Sequence, residues 1–182
     1  MKTKFSVALL ILIGFFTSCK DEKSIDNLKV VTPEEVDTSF KVTLKAIVKK
    51  QDDFALFYTE DGSINFFDVK PIWMGVKPSE TEQDITFSLP EDVYPTQLRL
   101  DLGLNKDQED IIIKGITFSY KGKKFEAMGA NFFNYFRADE NQCTADVATG
   151  TIKAVVKDGV RKGPSLYPHE VPLSKELQNL GK

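Results

Sequence analysis

From residue 40 onward one pattern recurs that leaves few folds open to the chain. Short stretches alternate apolar with polar side chains, and each is ended by a turn. Phe40, Val42, Leu44, Ala46 and Val48 alternate with Lys41, Thr43, Lys45 and Lys49. A period of two puts the first set on one face of an extended strand and the second on the other, so one face is buried and one is wet. The same pattern assigns strands to residues 54–58, 64–69, 71–76, 84–89, 96–102, 110–120, 131–136 and 150–156. Asp52-Asp53, Glu60-Asp61-Gly62-Ser63, Pro78-Ser79-Glu80 and Pro90 punctuate the strands, and Lys121-Gly122-Lys123 reads as a hairpin turn into 124–126. Strands at intervals of about 8–12 residues predict an all-β fold, a β-sandwich of the jelly-roll kind. The 14 phenylalanines suit such a core.

Helical spacing is confined to the tail. Leu173, Leu177 and Leu180 share one face of a short C-terminal helix over 175–180, with Ser174 as its cap and Gly181 where it ends. Pro164, Pro168 and Pro172 make residues 163–172 an extended cover and not a strand.

The first residues follow a different logic. Met1-Lys2-Thr3-Lys4 is cationic, and the run from Phe5 to Phe16 is almost wholly apolar. It is shorter than the ~20 residues that span a bilayer and has the length of a secretory hydrophobic region. Thr17-Ser18-Cys19 then supplies small residues before a cysteine. Phe16-Thr17-Ser18-Cys19 resembles a lipobox, which implies acylation of Cys19 and attachment to a lipid bilayer. One acyl chain alone holds a protein marginally, whereas two or three on one cysteine hold it durably. Lys20-Asp21-Glu22 resembles the signal that sends Bacteroidota-type lipoproteins to the outer face of the outer membrane, and it suits a solvated tether equally well. The expected organisation is an N-terminal lipoprotein signal at 1–18, an acylated cysteine and tether at 19–37, and the sandwich domain at 38–182.

Several kinds of chemistry find no support. The formal charge is −3, and loss of Lys2 and Lys4 with the signal makes the mature chain more acidic. The remaining cations are scattered, so no basic surface for nucleic acid is expected. His169 is the one histidine, beside Pro168, and a nucleophile–histidine–acid triad would have to use it. Zinc needs several Cys or His ligands, and only His169 and Cys143 lie outside the anchor. With Cys19 committed to lipid, Cys143 has no disulfide partner and reads as a structural thiol. No cofactor is expected, but Asn105-Lys106-Asp107-Gln108-Glu109-Asp110 offers alternating oxygens and is the candidate loop for a structural calcium. The 27 acidic residues leave open the facing carboxylate pair of a glycosidase, and no motif selects it. The domain therefore reads as non-enzymatic.

The aromatics remain. Sugar C–H faces stack on exposed rings while planar polar groups hold the hydroxyls. Trp73, the sole tryptophan, with Tyr58, Asp68, Arg99 and Asp101, offers both kinds of group. Arg99 and Asp101 lie opposite Leu98 and Leu100 in an alternating strand, so they share a face. Asn65-Phe66-Phe67-Asp68 and Asn131-Phe132-Phe133-Asn134 are near-copies, either symmetric strands or coincidence. In each strand one phenylalanine would face the core and the other would be covered or exposed and useful.

Ile85-Thr86-Phe87-Ser88-Leu89-Pro90, Leu98-Arg99-Leu100-Asp101-Leu102-Gly103 and Ile111-Ile112-Ile113-Lys114-Gly115-Ile116 together resemble a jelly-roll domain, galactose-binding-like in fold, attached to membrane proteins of bacterial polysaccharide synthesis. The resemblance spans about the middle third of the chain. Arg99 and Asp101 match its pattern, while Leu102 stands where that family has proline. It implies a sandwich like that of carbohydrate-binding modules. The expected function is a non-catalytic, outer-membrane lipoprotein that binds a polysaccharide or glycoconjugate. The alternative is a structural or assembly lipoprotein that binds another envelope protein. The first expects Trp73 and neighbouring tyrosines exposed along a concave face, open beside Arg, Asp and Asn; the second expects an exposed apolar patch with no polar cleft.

Overall fold

The computed structural model describes residues 38–182; the signal, Cys19 and the tether lie outside the described residues. The strands in chain order are β1 (Lys41–Ile47), β2 (Asp52–Thr59), β3 (Ile72–Val76), β4 (Gln83–Ser88), β5 (Gln97–Asp101), β6 (Ile111–Tyr120), β7 (Lys123–Met128), β8 (Phe136–Ala138), β9 (Cys143–Asp146), β10 (Thr151–Ala154), β11 (Val156–Lys157), β12 (Val160–Arg161) and β13 (Ser165–Pro168). A helix α1 (Glu170–Gly181) follows. The first sheet runs β4-β1-β6-β10-β9, with β7 also paired to β6. The second runs β3-β2-β5-β13-β8, and β11 with β12 forms a small hairpin. Every pairing is antiparallel, and the chain passes repeatedly from one sheet to the other. This is an all-β sandwich of jelly-roll type with a short C-terminal helix.

The alternation in β1 explains why the sheets close. Val42, Leu44 and Ala46 are fully buried, while Lys41, Thr43 and Lys45 are half-buried on the outer side. The wet face is tied across strands. Lys45 pairs with Asp84 at 2.8 Å, and the hydroxyls of Thr43 and Thr86 lie 2.9 Å apart. Inward side chains of the first sheet (Leu44, Phe87, Ile113, Phe118) and of the second (Phe54, Leu56, Leu98, Leu100, Leu166) belong to one core cluster. Each such side chain contributes about 1.5–3 kcal/mol when withdrawn from water. At the β6–β7 connection Lys121 and Gly122 both take positive φ, 45° and 78°. That is the turn whose twist matches a two-residue hairpin, as the Lys121-Gly122-Lys123 signal foretold.

Four expectations need correction. Residues 64–69 form no strand; they belong to the long β2–β3 connection, where the Asn65 side chain accepts the Phe67 N–H at 3.3 Å. Residues 129–134 form a 3-10 helix, and only then does the chain extend into β8. The two Asn-Phe-Phe segments are therefore not symmetric strands. Residues 165–168 are a strand of the second sheet, paired with both β5 and β8, and not a cover. The prolines fall where they cost no ladder bond: Pro164 lies outside the strand and its carbonyl accepts the Leu102 N–H at 2.8 Å, and Pro168 is the last residue. Finally, α1 begins at Glu170 and not after Ser174, because Pro172 sits in its first turn, where an N–H has no helical partner to lose. Leu173, Leu177 and Leu180 are buried, as their spacing predicted.

Candidate functional site

The β5–β6 loop is shaped by one carboxylate. Asp52, the first residue of β2, is 6% exposed. Its Oδ1 accepts the backbone N–H groups of Leu104 (3.0 Å), Asn105 (3.1 Å) and Asp53 (3.0 Å), and its Oδ2 accepts the Gln108 side-chain amide at 3.1 Å. Gln108 in turn exchanges hydrogen bonds with the backbone of Lys50. A backbone can approach a carboxylate this closely only without a side chain. Gly103 has φ +84°, and a Cβ there would lie 2.2 Å from the Asp52 carboxyl group.

This anchoring brings two distant segments together. Asn105 donates its side-chain amide to the Gln51 carbonyl at 2.7 Å, and Leu104 is left 73% exposed. Facing them on the edge strand β3 stands Trp73, 56% exposed. Gln51, Asp52, Asp53, Trp73, Leu104 and Asn105 line an open cleft of about 740 Å³. On β2 the neighbour of Trp73 in register is Ala55, and that of Asp53 is Gly75. The small residues beside the indole leave it uncovered. The cleft thus offers an aromatic platform, an opposed aliphatic side chain and planar polar groups.

The loop proposed for calcium is held by these protein donors instead. Asn105 Oδ1 accepts the Asp107 N–H at 2.9 Å, and Glu109 pairs with Lys49 at 3.2 Å and Lys50 at 3.4 Å. Among the described residues no group of three or more His, Cys, Asp or Glu side chains is placed to hold a metal.

The remaining sequence-selected residues divide. Arg99 and Asp101 do share the outer face of the second sheet, joined by two hydrogen bonds of 3.0 and 2.8 Å. The guanidinium lies 3.9 Å from the centre of the Phe57 ring, with Phe66 and Tyr167 at 5.5 and 5.4 Å. Phe66, 3% exposed, packs onto this face from the β2–β3 connection. Arg99 is therefore half-buried between Phe66 and Tyr167 of the 163–172 segment, whose hydroxyl accepts a guanidinium N–H at 3.4 Å. Tyr58 pairs with Leu98 and turns to the core side, away from Trp73. Asp68 is exposed in the β2–β3 connection, outside the cleft. Of the five, Trp73 alone lines the cleft; Gln51, Asp52, Asp53 and Leu104 were missed. A glycine and an exposed leucine directly after a strand, Gly103-Leu104, were the available signal.

A second groove of about 710 Å³ runs along β8 and β9, lined in part by Arg137, Asp139, Glu140, Cys143 and His169. Burial pushes the Cys143 thiol up, and its Sγ donates to the Ser165 carbonyl at 3.5 Å. His169 stands at the N-terminal boundary of α1, where its backbone N–H donates to the Tyr135 carbonyl at 2.7 Å. Comparison with protein-family models, with curated proteins and with solved structures finds no match.

Proposed function

We propose that the chain is a lipoprotein, anchored to the outer membrane through Cys19, whose sandwich binds a polysaccharide or glycoconjugate without turning it over. The observation that carries the binding proposal is Trp73, open to solvent in a cleft with Gln51, Asp53 and Asn105. Sugar sites combine an apolar platform with a few convergent polar groups.

Calorimetry of the full chain in a non-glycosidic detergent, against a panel of bacterial and host polysaccharides, tests this proposal. Saturable binding lost in Trp73→Ala is expected, with the fold retained because the indole is largely solvated. Absence of binding across the panel at millimolar sugar overturns it. One observation favours docking of an envelope protein instead: Phe67 is 90% exposed. A Phe67→Ser variant that loses a specific crosslinked envelope protein while every glycan fails to bind would establish that alternative.

A further inference from the structure

We infer that the Trp73 cleft selects uncharged sugars, with the Asp53 carboxylate as the acceptor of a sugar hydroxyl; this rests on the glycan reading above. Trp73 and Gly75 occupy the outer face of β3, and Ala55 and Asp53 stand opposite them on β2. Trp73 and Asp53 are therefore diagonal neighbours, about 7–8 Å apart at the strand spacing of a sheet. That is the span of one pyranose ring with its hydroxyls. Directly opposite Asp53, and two residues along β3 from Trp73, lies the bare backbone of Gly75, where an added Cβ would sit 3.5 Å from Asp53 Oδ1. A ring stacked on the indole passes over this gap and donates a hydroxyl to the carboxylate, a charge-assisted bond about twice as strong as a neutral one.

The charges around the cleft set the selectivity. Its lining contains carboxylates and amides but no lysine or arginine. Asp52 is saturated by its loop donors, and among the described residues Asp53 has no ion-pair partner. Nearby cations are directed elsewhere. Lys49 and Lys50 pair with Glu109, and Arg161, which lines a different groove with Lys106 and Asp110, acts on the buried Asp52 and not on Asp53. A uronate or sulfate brought onto Trp73 would face an unneutralised carboxylate, and like charges set against each other in a recognition site are strongly disfavoured. A neutral hexose meets no such penalty.

Affinity electrophoresis of the full chain, in a non-glycosidic detergent, through gels containing uncharged polymers (α- and β-glucan, mannan, galactan) or uronic-acid polymers decides the point. Retardation by at least one neutral polymer and by no uronate is expected. Asp53→Asn should weaken the neutral interaction about tenfold. Gly75→Val, which fills the gap with a good strand former on an edge strand, should abolish it at unchanged thermal midpoint. Retardation by uronates as strong as by neutral polymers overturns the selectivity and leaves glycan binding standing. Full binding by Gly75→Val moves the sugar off this surface and overturns the assignment of Asp53. No retardation by either class overturns glycan binding itself.

Discussion

Asp52 holds the Trp73 cleft together while itself almost wholly buried. Its carboxylate holds the backbone of Leu104 and Asn105, more than fifty residues away in sequence, where they line the cleft with Trp73. Hydrogen bonds to a charged group contribute about 1.5–3 kcal/mol each, and donors left unpaired cost a comparable amount. Asp52→Ala should therefore lower stability by roughly 3 kcal/mol, read from urea unfolding, and weaken glycan binding with Trp73 untouched. Gly103→Ala should act alike, since its methyl group would collide with the carboxylate. Arg99 differs. Its fork is spent on Asp101 and its plane on Phe57, so Arg99→Ala should cost about 1–3 kcal/mol of stability and leave glycan affinity unchanged. A loss of affinity at full stability would place Arg99 in the binding surface. Alternation in the sequence correctly put Arg99 and Asp101 on one face. It could not show that Phe66 would cover Arg99, because a loop's path across a sheet leaves no periodic trace.

At the scale of elements, strands whose two faces differ in polarity were legible, and those without that contrast were not. β1, β4 and β6 announce themselves by alternating residues that bury one face. β13 hid behind its flanking prolines, and the apolar pair Phe66-Phe67 imitated a strand while folding as part of a loop. The site was legible only through its aromatic platform, since its polar wall depends on contacts between remote segments. The tail helix was legible in its buried leucines and illegible in its start. Its docking gives a further expectation. The Tyr94 hydroxyl donates to the Leu177 carbonyl, and burial pushes its pKa up to about 12. A raised value means that this contribution is complete below the ordinary tyrosine range near pH 10 and is lost as pH rises through about 12. Tyr94→Phe should lower stability by about 1 kcal/mol at neutral pH and remove the most alkaline step of the tyrosine ultraviolet titration. Survival of that step in the variant would assign it to another tyrosine.

The described domain is a sandwich whose surface carboxylates are held by exposed partners. Glu109 is held below the usual carboxylate range by Lys49, Asp61 by the backbone of Ser63, and Asp146 by the Thr149 hydroxyl. Lowered values contribute stability that is present above the unfolded carboxylate range near pH 4 and lost as pH falls through the folded values. Urea midpoints should accordingly be level from pH 7 to about 5 and decline below about 4, modestly, because these groups are solvated. At the chain's start, Cys19→Ser should abolish incorporation of labelled palmitate, and labelling of that variant would refute acylation at this cysteine.

The proposed binding at Trp73 has a built-in reporter, because no other tryptophan contributes to emission. Titration of the full chain with a retarding neutral polysaccharide should shift the indole emission to the blue and saturate at the same concentration as binding measured by heat. An unchanged emission spectrum while heat of binding is evolved would place the glycan elsewhere on the protein and contradict the assignment of this cleft.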